Sequence, residues 1–141
     1  MNTRNRALIR ALAPLVLMGV IFYLSAQPAA GHHAWWVIVL RKLGHVTGYA
    51  LLTALWAWAL QGVVRRPVAV AVGIALAYAC TDEFHQTFVH GRSGTPIDVG
   101  VDAIGMAIAA IAIGMRQSSP TGRGRTGVRN GASRSSLARS P

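Results

Sequence analysis

The stretch that covers residues 97–115 reads IDVGVDAIGMAIAAIAIGM. Its 19 residues come close to the roughly 20 that an α-helix needs to cross the hydrocarbon core of a bilayer. Its only charged residues are Asp98 and Asp102, which lie four positions apart and so share one face of a helix. A carboxylate at membrane depth costs roughly 2.5–3.5 kcal/mol, so Asp102 needs a buried partner. The stretch therefore predicts a membrane-spanning helix that packs against polar groups of neighbouring helices.

Three further apolar runs of similar length cover residues 8–26, 44–64 and 67–85. The chain is 52% hydrophobic and 13% charged, whereas a soluble domain carries about 25% charged residues. We therefore predict an all-α, polytopic membrane protein in which residues 1–115 form a bundle of about four transmembrane helices. An alternative stays open for the first run, because its arginines and the small residues at 29–31 also resemble a cleavable secretory signal.

Positive charge is distributed unevenly along the chain. Six arginines lie among Ser, Gly, Thr and Pro in residues 116–141, which predicts a disordered basic tail. With the N-terminus inside, eleven of the fourteen Lys and Arg residues fall on the inner side, so both termini are predicted to be cytoplasmic and the protein to lie in the cell membrane. No aromatic or fold signature accompanies these arginines, so we expect membrane lipids as partners of the tail and no nucleic acid.

All four acidic residues of the chain fall between positions 82 and 102, where the predicted helices reach the outer interface. Other polar residues reach the same level: the second run carries His45 and Tyr49 one turn apart, and Arg92 is the only cation between the third and fourth runs. Its guanidinium can pair with Asp98 or Glu83, or with an anionic ligand. The predicted ligand-binding or polar network comprises His45, Tyr49, Asp82, Glu83, Gln86, Arg92, Asp98 and Asp102.

Two ordered motifs carry a resemblance to a known family. Residues 41–49 read RKLGHVTGY, and residues 81–93 read TDEFHQTFVHGRS, followed by Asp98, Asp102 and Gly105. Together with FYLSAQP at residues 22–28, they resemble the VanZ-like membrane proteins over residues 10–115. His90 stands where that family commonly has Pro. The resemblance implies a helical protein of the cell envelope with a link to resistance against glycopeptides of the teicoplanin type.

Three functions remain open from the sequence. The first is binding of a lipid-linked envelope precursor or an anionic glycan at the outer face, by Arg92 with Arg41 or Lys42. The second is a membrane-embedded, metal-dependent hydrolase or transferase, since His45 and the carboxylates offer nitrogen and oxygen ligands. No zinc spacing is recognisable, so we assign no metal ligand, cofactor or catalytic residue. The third is a scaffold in which the network only fixes helix register. The oligomeric state is not predicted.

Overall fold

The four apolar runs fold into four α-helices. A computed structural model describes residues 3–28, 35–92 and 94–118, and these residues contain no β-strand. The helices are α1 (Thr3–Ser25), α2 (Trp35–Ala59), α3 (Pro67–Gln86) and α4 (Pro96–Ser118). The predicted all-α fold is confirmed. α4 continues three residues past the predicted domain boundary at 115, and the rest of the predicted tail lies outside the described residues.

Three of the helices are long and apolar enough to cross a membrane: α1 from Asn5 onward, α3 and α4. The fourth, α2, is longer than any of them but includes Arg41, Lys42 and His45. It begins at Trp35 rather than at residue 44, and ends at Ala59 rather than at residue 64. The predicted start was wrong because it followed the apolar run, whereas the helix continues through two cations whose long stems can reach the polar interface.

The longest helix, α2, lies in the middle of the bundle. It packs against α1, α3 and most extensively against α4, while α1 and α4 do not touch within the described residues. The central core consists of Tyr49, Leu52, Ala75, Ala79 and Met106. α1 also contributes partly buried side chains to this core, so it is an integral part of the bundle.

Small residues set the distances between the helices. Ala71, Ala75 and Ala79 follow one another at four-residue intervals on α3 and are fully buried, an arrangement that lets backbones approach closely. Helices α2 and α4 approach very closely where a Cβ added to Gly105 would overlap the backbone oxygen of Val46. This contact holds the polar first half of α2 against the acidic start of α4.

Candidate functional site

The polar residues gather at one end of the bundle, which we call the polar end. There α1 and α3 finish, α4 begins, and the first half of α2 passes between them. The structure brings all eight residues of the predicted network to this end: His45, Tyr49, Asp82, Glu83, Gln86, Arg92, Asp98 and Asp102. The other end contains the loop with Arg65 and Arg66.

Two buried carboxylates lie next to each other at the end of α3. Asp82 is 1% exposed and Glu83 is 5% exposed. Asp82 Oδ2 accepts from Ser25 Oγ at 2.8 Å and from Gln86 Nε2 at 3.2 Å. The same Gln86 nitrogen donates to Glu83 Oε1 at 3.1 Å, and the Thr95 backbone N–H donates to Glu83 Oε2 at 3.3 Å. Every donor to this pair of carboxylates is therefore a neutral group.

The fully buried Asp102 pairs with His45 across the α2–α4 contact. Its Oδ1 lies 3.0 Å from His45 Nδ1, while its Oδ2 has no hydrogen-bond partner among the described residues. The Tyr49 ring stacks near the imidazole with a centroid distance of 6.2 Å, and its hydroxyl also lacks a partner in this part of the chain. The buried partner that the sequence required for Asp102 is thus His45, and Asp102 fixes the orientation of that imidazole.

Asp98 joins the start of α4 to α2. Its Oδ1 accepts from Lys42 Nζ at 2.7 Å, and its Oδ2 accepts from Thr95 Oγ1 at 2.7 Å. Thr95 in turn accepts from the Asp98 backbone N–H, and Pro96 follows as the first helical residue, so the segment has the features of a helix N-cap. Lys42, which the sequence suggested for anion binding, forms an ion pair with Asp98 instead.

Arg92 connects the loop after α3 to the end of α1 by hydrogen bonds. Its guanidinium donates to the Gln27 carbonyl at 3.0 Å and the Leu24 carbonyl at 3.1 Å. A third bond, of 3.2 Å, runs from Nη1 to Gln86 Oε1. The pairing with Asp98 or Glu83 that the sequence left open is not formed in the described structure, where Lys42 donates to Asp98 and the Thr95 backbone donates to Glu83. Among the described residues Arg92 bonds only neutral oxygens, and no carboxylate is bonded directly to its guanidinium.

Two adjoining cavities open at the polar end. The first, of about 220 Å³, lies among α2, α3 and α4 and is lined by charged groups that include Glu83, Asp98 and Asp102. The second, of about 240 Å³, lies between α1 and α2 and is bordered by Ile21 and Leu24 together with the glycines of α2. Arg41, His45 and Arg92 line both cavities. The site can therefore present cations to one end of a ligand and an apolar groove to the other.

Several contributing residues were not assigned from the sequence. Ser25 and Thr95 both bind the acidic residues. Thr95 could have been recognised, because Thr-Pro-Ile-Asp has the pattern of a helix start. Two further residues of α3 contact α1: the Tyr78 hydroxyl donates to the Met18 carbonyl at 2.6 Å, and the His85 ring packs on Phe22 at 4.5 Å.

Comparison with known proteins bears on the two motifs that build this site. No significant match is found among curated proteins or among solved structures. The sequence model of the VanZ/LLP1 family, however, matches residues 10–116, which include α2, α3, most of α1 and α4, and both motifs. This match covers well over half of the 141 residues and confirms the resemblance. The chain therefore belongs to the VanZ/LLP1 family of membrane proteins.

Proposed function

We propose that this protein binds an anionic envelope lipid, such as a lipid-linked precursor, at the polar end of the bundle. The observation that carries the proposal is that Arg41 and Arg92 line both cavities and that neither has a carboxylate partner among the described residues. Burial lowers the pKa of the Arg92 guanidinium, and repulsion from Arg41 adds to that shift. Both guanidinium groups remain charged, so a phosphate between them would relieve their repulsion.

The apolar cavity supports a lipid rather than a small soluble anion. Gly44 and Gly48 lie one turn apart on α2 and, with Ile21 and Leu24 of α1, border a groove directly beside the two guanidinium groups. A Cβ at Gly44 would meet no atom within 4 Å, so this side of α2 has room for a hydrocarbon chain. The headgroup would then bind at the arginines and the chain would follow the groove.

We further propose that the polar end faces outward and that both termini are cytoplasmic. In this orientation the two cations of the α2–α3 loop, Arg65 and Arg66, are inside together with the N-terminal arginines. The bias of Lys and Arg toward one side supports this assignment, because cytoplasmic segments carry the excess of positive charge. The lipid headgroup would then come from the outer leaflet.

Replacing Arg41 with glutamine is expected to weaken phosphate-lipid binding without unfolding the protein. Arg41 makes no hydrogen bond or ion pair within the described residues, so its loss should leave the bundle intact. A hydrogen bond to a charged group contributes about 1.5–3 kcal/mol, which corresponds to at least about tenfold in affinity. Native mass spectrometry of the detergent-purified full chain with phosphatidic acid measures this loss.

Two comparison variants make the measurement specific. Arg65→Gln removes the same charge at the opposite end and should bind phosphatidic acid like the wild type. Gly44→Leu places a side chain in the apolar groove and leaves both guanidinium groups in place, so it should lose the lipid but not inorganic phosphate. Equal lipid binding by Arg41→Gln, Arg65→Gln and the wild type would argue for a network that serves only as a scaffold.

Membership of the VanZ/LLP1 family supports a link between this site and glycopeptide susceptibility. Expression of the wild-type chain in a teicoplanin-sensitive host is expected to raise the minimum inhibitory concentration of teicoplanin. Arg41→Gln, expressed at the same level, should give the value of the empty host if lipid binding underlies the effect. A protective effect that survives Arg41→Gln would separate resistance from this site.

A further inference from the structure

The buried carboxylates of α3 have no directly bonded cation within the described residues. Within the described structure, the two ion pairs with nitrogen cations involve Asp98 and Asp102. Asp82 and Glu83 are at least 95% buried and accept only from Ser25, Gln86 and the Thr95 backbone. Two adjacent buried carboxylates bound only by neutral donors are costly, because charges withdrawn from water need pairing or a metal ion.

The imidazole of His45 completes a set of three ligands. Three possible ligand atoms, one from each of His45, Asp82 and Glu83, lie within 4.8 Å of one another. Ligands at about 2.0–2.1 Å around a tetrahedral zinc ion are roughly 3.3 Å apart. The three atoms would therefore have to close by at most about 1.5 Å to reach zinc geometry.

Two independent observations point to a ligand at this position. Asp82 Oδ1 is buried and has no hydrogen-bond partner within residues 3–28, 35–92 and 94–118, although Oδ2 of the same carboxylate accepts two bonds. His45 Nδ1 is held by Asp102, so Nε2 is the nitrogen left to bind. Carboxylate–histidine pairs of this kind orient the imidazole in metal sites and increase its basicity.

We propose that His45, Asp82 and Glu83 form a binding site for a divalent transition-metal ion such as Zn²⁺. One nitrogen and two carboxylate ligands suit zinc, and a double positive charge would match the two buried carboxylates. Gln86, Ser25 and Asp102 would support the ligands from outside, as their hydrogen bonds already do. Three protein ligands leave a position open toward the cavity that His45, Glu83 and Arg92 line.

This site goes beyond lipid binding and does not depend on it. A phosphate held by Arg41 and Arg92, as proposed above, would share the same cavity and could reach the open position of the metal. Metal binding can nevertheless be measured in the absence of lipid. Failure of the metal proposal would therefore leave the lipid proposal intact, and the reverse also holds.

The test is zinc titration of the chelator-treated full chain in detergent, followed by metal analysis and thermal unfolding. The wild type should bind one Zn²⁺ per chain, and its Tm should rise because the ion binds the folded state. His45→Gln and Asp82→Asn should each weaken binding by at least about tenfold, which is the lower limit for loss of an outer-shell partner alone. His90→Gln removes an exposed imidazole that does not belong to the set and should bind like the wild type.

The variants His45→Gln and Asp82→Asn distinguish loss of the metal site from loss of the fold. Asp82→Asn retains the size of the side chain and removes a buried charge, so it should fold, and its Tm should no longer respond to Zn²⁺. The proposal is overturned if the wild type binds no Zn²⁺. It is also overturned if His45→Gln and Asp82→Asn both bind it as tightly as His90→Gln does.

Discussion

Gly105→Ala is expected to destabilise the bundle by about 3 kcal/mol, the upper end of the range for overpacking. The new methyl group would overlap the Val46 backbone oxygen and lie close to the Ala50 backbone nitrogen. Backbone atoms inside a helix cannot rotate away as a flexible side chain can, so α2 and α4 must separate. Separation would also stretch the 3.0 Å contact between His45 and Asp102.

The matched control is Gly100→Ala on the same helix. A Cβ there meets nothing within 4 Å, and alanine favours a helix by up to about 1 kcal/mol relative to glycine. Gly100→Ala should therefore be as stable as the wild type or slightly more so. Reversible unfolding in mixed micelles measures the free energy of unfolding of the wild type, Gly105→Ala and Gly100→Ala. Equal stability of the two alanine variants would contradict the close approach of α2 and α4.

Arg92→Lys is expected to cost about 2 kcal/mol although it preserves the charge. The guanidinium binds the Leu24 carbonyl, the Gln27 carbonyl and Gln86 Oε1 from three of its nitrogens. An ammonium group on a flexible stem cannot reproduce that planar arrangement, and a hydrogen bond from a charged donor contributes about 1.5–3 kcal/mol when buried. Because Arg92 is partly exposed, we expect the loss of all three bonds to cost only about as much as one such buried bond.

Arg41→Lys provides the comparison, since Arg41 lines the same cavities without binding any described residue. It should leave the free energy of unfolding unchanged, whereas Arg92→Lys should lower it and expose the end of α1 to proteolysis. The two arginines would then differ in role: Arg92 stabilises the bundle and faces the ligand, and Arg41 serves the ligand alone. Equal stability of both lysine variants would show that the three Arg92 bonds contribute little.

Hydropathy and spacing were enough to predict the helices and their polar faces. Apolar runs of bilayer length identified α1, α3 and α4, and the i, i+4 spacing placed Asp98 and Asp102 on one face. The boundaries of α2 were less predictable, because helix formation depends on backbone hydrogen bonding and continues through Arg41 and Lys42. A hydropathy run stops where polar residues begin.

The sequence was enough to predict which residues gather at the polar end, but not which of them bond to each other. Scarce polar residues in an apolar chain converge because each needs a partner, and the alternating directions of the helices place the eight network residues at one end. Pairing depends on distances across helices that a linear sequence does not contain. Lys42 and Arg92 carry the same charge. Lys42 rather than Arg92 pairs with Asp98 because α2 packs against α4. Ser25 was missed because a serine at the end of a helix carries no spacing signal.

The most direct test of the central claim is to map where an anionic lipid contacts the folded chain. Phosphatidic acid with a diazirine near the headgroup end of its acyl chain would be crosslinked to the full chain and the adducts located by peptide mass spectrometry. We predict adducts at Ile21, Leu24 or Gly48, which border the apolar cavity beside Arg41 and Arg92, and their loss in Arg41→Gln. Adducts confined to the groove at the opposite end, where Ala7, Leu8 and Val63 lie, would contradict the proposed site.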